Sequence, residues 1–331
     1  MRLKLKDKIW LYGQLATFTK AGFGIDQSLR SLQSGEPNPD RTTFLEHVRE
    51  RIRLGATLSE AIGNSQAGIT PLEISIMQAA EMAGMLEQGF AHLAEYFESA
   101  VKTRRQVVGK LIYPALLIHL AILLPAIPRF VQTQDLAGTL VGVVIGLASV
   151  YAITICLVLA FRALWSRGGE QIGVDRLLRR TPLVGGVRKA LSLQRFCSVL
   201  RMHVECGQKI SAGAAAGGEA SDSAVVKSAS NHLAETARGG SPMGSVILGL
   251  VEAFPHELGS AIHNAEQTGM LSEELTRWTE IFRQRVAAAF ERIGTWLPRL
   301  IYFAVVIFVI WTIFSMLSSI YKPLLDGIDQ F

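Results

Sequence analysis

Three stretches of the chain are nearly free of polar side chains. Leu111 to Pro128 is interrupted only by His119 and prolines, Leu140 to Phe161 carries no charge until Arg162, and Leu300 to Ile320 is uncharged. A helix rises about 1.5 Å per residue, so such runs can cross ~30 Å of hydrocarbon, the first only just. The pattern predicts three transmembrane helices. Elsewhere the apolar positions are periodic: Leu11, Leu15 and Phe18, then Ile25, Leu29 and Leu32, recur at i, i+4 and i+7 and so line one face of a helix. No run shows sustained strand-like alternation. The expected fold class is an all-α membrane protein in which helical bundles alternate with spans.

Charge then orients the spans. Lys102, Arg104, Arg105 and Lys110 precede the first, Arg162, Arg167, Arg176, Arg179 and Arg180 follow the second, and Arg292 and Arg299 precede the third. The loop between the first two offers only Arg129 against Asp135, and the tail only Lys322 against Asp326 and Asp329. Basic flanks stay inside. The expected order is an inner helical domain over residues 1–110, two spans with a short outer loop over 111–161, a second inner domain over 162–296, and a third span with a short outer tail over 297–331. The basic Met1 start is followed by a segment broken by Tyr12, Gly13, Gln14 and Thr17, which does not read as a signal peptide and leaves the N-terminus inside. The net charge of +5 comes largely from cations beside the spans, so no nucleic-acid partner is expected. Cys156, Cys197 and Cys206 form no disulfide framework or metal knuckle.

The inner domains repeat. Shifting the chain by 185 residues superposes Ala80-Glu81-Met82-Ala83-Gly84-Met85-Leu86 on Ala265-Glu266-Gln267-Thr268-Gly269-Met270-Leu271. The same register pairs Gly22 with Gly207, Ile25 with Ile210, Gly55 with Gly240, Glu95 with Glu280 and Phe97 with Phe282, and Pro114 meets Pro298 after a one-residue adjustment. The unit is an inner domain plus the helix after it. Within it Asp26 and Ser211 are candidate helix caps, and Thr57-Leu58-Ser59-Glu60 reads as a capping box with Ser241-Pro242 as its counterpart. Gly84 and Gly269 suit the left-handed end of a helix, with the following Met-Leu packing back as a corner. Glu81 and Glu266 stand open between two readings, a local carboxylate or a contact for a partner protein.

Nothing assembles a catalytic site. Gly213 to Gly218 lacks the lysine and hydroxyl of a phosphate loop, His256-Glu257 has Ser260 where a zinc-protease helix needs its second histidine, and no nucleophile elbow occurs. The spans offer only His119 and hydroxyl groups. No enzymatic activity, cofactor or metal is expected. Gly138, Gly142 and Gly146 have the spacing of a close helix-packing seam, within the chain or between copies of it in a homo-oligomer.

Two inner helical domains, each ending in an (A/G)-E-x-x-G-x-L corner, a basic stretch and a proline-bearing span, resemble the type II secretion F family, which includes type IV pilus inner-membrane platform proteins. The residues that carry the resemblance are Gly22, Gly55, Glu81, Gly84, Leu86 and Pro114, with Gly207, Gly240, Glu266, Gly269, Leu271 and Pro298. The second copy departs from the pattern at Ala214 and Gly217, where the first has Leu29 and Leu32. The resemblance implies a bacterial inner-membrane platform that binds a cytoplasmic assembly ATPase, pilin or pseudopilin subunits and other inner-membrane assembly proteins. The first inner domain, with the fuller apolar helix, is the expected ATPase contact. A small transporter fits less well because the repeats lie mostly outside the spans, and a membrane-anchored scaffold leaves the repeat unexplained.

Overall fold

A computed structural model of the protein describes residues 3–65, 67–182 and 184–328. Met1 and Asp329, used above for orientation, lie outside the described residues, as do the side chains of Leu111, Pro128, Arg129, Ile320, Lys322 and Asp326. Among the described residues the chain is helical, without strands. It divides into one unit of Met1–Thr103 with Trp165–Ala289 and another of Arg104–Leu164 with Phe290–Phe331.

Copy one builds α1 (Leu5–Lys20), α2 (Ile25–Ser34), α3 (Pro39–Arg53), α4 (Leu58–Gly63), α5 (Pro71–Met82) and α6 (Leu86–Leu123). After α7 (Ala126–Thr133), α8 (Leu136–Arg167) and α9 (Ile172–Arg180) come α10 (Val184–Glu205), α11 (Ile210–Ala220), α12 (Ala224–Arg238), α13 (Met243–Gly249), α14 (His256–Thr268) and α15 (Leu271–Ile328). From α2/α11 to α6/α15, each pair of helices starts 185 residues apart.

The two copies are joined into one packed unit. The core of copy one, formed by Leu11, Leu15, Leu29, Leu32, Phe44, Leu45, Ile62, Ile76 and Phe90, also takes in Val199, Met202 and Ala220 of copy two. Gln208 donates to the Ala79 carbonyl at 3.1 Å and Arg195 to the Tyr96 hydroxyl at 3.1 Å across the same boundary. Helix α11 packs without large side chains because its backbone comes close: a Cβ on Gly217 would lie 2.9 Å from the Phe196 ring, and one on Gly218 2.6 Å from Ser230 Cβ. Close backbone approach thus does in α11 what Leu29 and Leu32 do in α2.

Three expectations about helix ends change. Gly24, not Asp26, is the N-cap of α2, and Asp26 pairs instead with Arg30 at 2.7 Å and Arg49 at 3.6 Å. Ser211 lies inside α11, whose N-cap Lys209 makes no side-chain cap bond. Thr57 does cap α4, but α13 starts behind Pro242 rather than Ser241, and proline has no side-chain oxygen with which to cap.

Among the described residues, three helices are apolar and long enough to cross a membrane: Leu86–Leu123, Leu136–Arg167 and Leu271–Ser315. The first ends at Leu123 rather than Pro128, and Pro125 is the N-cap of α7. Pro125 has no N–H with which to continue the α6 ladder. His119 is not isolated: Nδ1 donates to the Ala115 carbonyl at 2.6 Å, and Nε2 lies 2.7 Å from the Tyr151 hydroxyl on α8. The neutral imidazole that accepts at Nε2 satisfies both bonds.

Copy one buries an ionic cluster. Lys8 donates to Glu73 at 2.7 Å and to the Gly68 carbonyl at 2.8 Å, while the Tyr12 hydroxyl and the Thr70 N–H and hydroxyl also donate to Glu73, which is fully buried. Burial, then the Glu73 charge, holds the Tyr12 phenol well above its ordinary range. At the matching positions copy two has Leu193, Cys197, Pro255 and Leu258. Each charge is replaced by an apolar side chain, and the Thr70 N–H by a proline that has none. Removing one member of a buried pair leaves the other uncompensated, at a cost of about 3–5 kcal/mol, whereas replacing the whole set is often neutral. Thermal unfolding of the full chain in detergent should therefore show Glu73→Leu strongly destabilised, and Lys8→Leu/Tyr12→Phe/Thr70→Pro/Glu73→Leu restored to near the parent midpoint.

Candidate functional site

The repeated motif forms the same corner twice. Helix α5 ends at Ala83, Gly84 takes φ +69°, and the Met85 N–H returns to the Ala80 carbonyl at 2.8 Å. In copy two Gly269 takes φ +73° and the Met270 N–H bonds the Ala265 carbonyl at 3.0 Å. A side chain at this left-handed position would be strained, which is what glycine relieves. Leu86 then packs on the core of copy one, and Leu271 is buried in that of copy two.

The glutamates reach a different helix. Glu81 Oε1 accepts from the Leu58 N–H at 2.6 Å, and Oε2 from the Ser59 N–H at 3.0 Å and the Ser59 hydroxyl at 2.8 Å. Glu266 does the same for α13, accepting from the N–H groups of Met243 at 2.8 Å and Gly244 at 3.0 Å. Each carboxylate thus straddles the first two free N–H groups of a short helix, where the backbone dipoles favour negative charge. Gly244 replaces Ser59 because a Cβ there would lie 2.2 Å from His263 Cα.

The remaining candidates disperse. Gly138 lies against the Asp135 carboxylate, which accepts its N–H at 3.0 Å at the start of α8, whereas a Cβ on Gly146 would meet Ile122 of α6 at 3.2 Å. Gly142 follows on the same helix. His256 lies 3.3 Å from the Ser260 hydroxyl and His263 3.0 Å from the Gln267 amide, and no group of metal-ligating side chains occurs among the described residues. The buried Cys197 thiol is pushed upward by desolvation and is poorly suited to nucleophilic work.

Two polar clusters escaped the sequence reading. Asp175 of α9 accepts from Arg188, the Ser223 hydroxyl and, at 3.0 Å, the Val225 N–H, which fastens α9 to the start of α12. A cavity of about 270 Å³ is lined by His92, Glu95 and Tyr96 of α6, Gln194, Ser198 and Arg201 of α10, and Thr276, Thr279, Glu280 and Arg283 of α15. The equivalence of Glu95 and Glu280 was the one available signal. His92 lies ahead of the apolar part of α6; burial, then the Arg201 charge, lowers its pKa to about 4, and its Nδ1 has no partner among the described residues.

An all-α membrane chain with a duplicated, carboxylate-clamped helical domain defines a class of repeat-built membrane proteins, and comparison narrows it. The sequence profile of the family described as type II secretion system (T2SS), protein F matches residues 11–131 and again 196–318, starting 185 residues apart. The chain belongs to this family. It is 26% identical to a type II secretion system protein F of Vibrio cholerae over 80% of this chain and 69% of the relative. It is 23% identical to the type IV pilus assembly protein PilC of Thermus thermophilus over 86% of this chain and 74% of the relative. With TapC, a type IV pilus assembly protein of Aeromonas hydrophila, it shares 21% over 97% and 82%.

Loss of a charged hydrogen-bonding partner from part-buried N–H groups costs about 2 kcal/mol. Glu81→Ala and Glu266→Ala should each lower the unfolding midpoint of the full chain by several degrees, with Glu81→Gln intermediate; an unchanged midpoint would reject the clamp. For His92 the folded pKa lies below the ordinary 6.5, so the unfolded chain binds the proton first and stability falls as pH drops from about 6.5 toward 4. That amounts to about 2 kcal/mol between pH 7 and 5, and His92→Gln should remove this part of the acid sensitivity in denaturant titrations.

Proposed function

We propose that the chain is a non-enzymatic inner-membrane platform for a type IV pilus or a type II secretion pseudopilus. The observation that carries the reading is the double family match, which covers both repeats and reaches into the spans, together with relatives named for type II secretion or type IV pilus assembly. The basic flanks of the spans support an N-terminus, and both repeats, on the cytoplasmic side. There the repeats would engage an assembly ATPase, while the spans would engage pilin or pseudopilin subunits, other inner-membrane assembly proteins and further copies of the chain.

The inward use of both motif glutamates bears on how such contacts are made. A carboxylate that holds two N–H groups of its own chain has little left for a partner, so Glu81 supports partner binding by shaping the corner. The shared core also means that neither copy can be deleted without exposing the other.

The test is co-purification of the full-length chain, solubilised in mild detergent, with the assembly ATPase encoded beside it, together with filament counts in a strain lacking the chain. The expected result is a co-purifying ATPase and loss of surface filaments or of secreted substrate. A strain that still assembles and secretes normally would reject the platform.

A further inference from the structure

Buried polar groups are almost always hydrogen-bonded, so several orphans around one space point to what belongs in it. His92, Gln194 and Ser198 are only 9%, 5% and 3% exposed. Among the described residues none of these side chains makes a hydrogen bond, and all three line the cavity of about 270 Å³ between α6, α10 and α15. The fold does not demand them. Gln194 and Ser198 stand four residues apart on α10, and the equivalent positions of α1 are Ile9, packed on the core of copy one, and Gly13. Copy one thus builds the same helix with no polar side chain at either position.

The lining identifies the chemistry of an occupant. Two arginines and two glutamates line the cavity, so their charges cancel. Both arginines are already engaged: Arg283 donates to Glu280 at 2.5 and 2.7 Å and is held further by the Glu95 charge, and Arg201 donates to Glu205 at 2.9 Å. An ionic ligand would have to compete with these pairs. Burial and the Arg201 charge favour the neutral ring of His92. What remains unmet is therefore uncharged: an amide, a hydroxyl and an imidazole, each able both to donate and to accept. The Thr276 and Thr279 hydroxyls donate to carbonyls of their own helix, which leaves their oxygens free to accept as well.

Size and polarity narrow the class further. None of the ten lining residues is aliphatic, whereas pockets for drug-like ligands are mostly apolar. The volume falls just below the roughly 300–1,000 Å³ of such pockets. A compact molecule with hydroxyls on every side and little bare hydrocarbon matches both features. We propose that this cavity binds one uncharged polyhydroxyl molecule of the size of a monosaccharide or cyclitol, held by His92, Gln194 and Ser198. The site does not depend on the platform reading. Its occupant would tie α6 and α15, the helices that run on into apolar segments, to α10, whose Val199 and Met202 enter the core of copy one.

The test is isothermal titration calorimetry of the full-length chain, in a detergent without a sugar headgroup, with D-glucose, D-galactose, D-mannose and myo-inositol, each up to about 10 mM. Inorganic phosphate serves as the ionic contrast. Saturable binding of at least one of the four is expected, at one site per chain. Ser198→Ala and Gln194→Leu should each weaken it at least tenfold and leave the unfolding midpoint of the empty protein unchanged or higher, because each removes a buried group that has no partner. Ser260→Ala, away from the cavity, should bind as the parent does. No saturable heat with any of the four, the result if water alone fills the cavity, would overturn the proposal. Binding confined to phosphate, or binding that both cavity variants retain, would overturn it too.

Discussion

A helix of six or seven residues cannot satisfy its own N-terminal N–H groups, and α4 and α13 are of this length. Glu81 and Glu266 supply the missing acceptors from 22 and 23 residues further along the chain. That single interaction sets the angle at which α5 or α14 passes the preceding corner. It also explains why the motif is compact. Once the glutamate is fixed, the chain must reverse within three residues, so the glycine follows at the left-handed position, and the leucine after it drops into the core. Alanine, glutamate, glycine and leucine are four parts of one turn.

The two copies show how loosely the rest of the sequence is constrained once that turn is in place. Copy one holds α1 to α5 through the Lys8–Tyr12–Glu73 cluster, and copy two uses Leu193, Cys197 and Leu258, all buried. The second set avoids taking charges out of water, and Pro255 removes the N–H that would otherwise go unpaired. Likewise α2 packs with leucines and α11 with glycines. In each case the substitution is coordinated: glycines in α11 let its backbone approach the Phe196 and Ser230 side chains that longer residues would have held off. Helix α9, clipped by Asp175 and Arg188, gives the second bundle a further fastening.

Much of this was legible in the chain because it is local or periodic. The three spans follow from uninterrupted hydrophobicity, the repeat from a single register, and the glycine corners from residue type at fixed offsets. What was not legible depends on meetings between distant segments. Nothing near Glu81 in sequence indicates that it will find Leu58, and Asp26 looks like a cap until Arg49, from the next helix, draws its carboxylate outward. His119 reads as a lone polar residue because Tyr151 lies on another span. The cavity around His92 draws on helices from both copies, so only the pairing of Glu95 with Glu280 hinted at it. The end of span one was misplaced for a local reason, since hydrophobicity carried on past Pro125 although the helix could not.

Duplication separates two kinds of residue that a single domain would confound. A side chain that closes a corner is needed wherever the corner exists, and Glu81, Gly84 and Leu86 recur with the same geometry in Glu266, Gly269 and Leu271. A side chain that faces outward from the corner is free to differ, and it does: leucine and methionine in one copy become glycine and glutamine in the other. Exposed apolar residues scattered singly over a surface need no explanation. Leu54 and Met82 are exposed at two corners of copy one, and copy two closes the same corners with Gly239 and Gln267. The motif is therefore the scaffold common to both copies, and any difference in what the two copies bind must reside in the residues mounted on it.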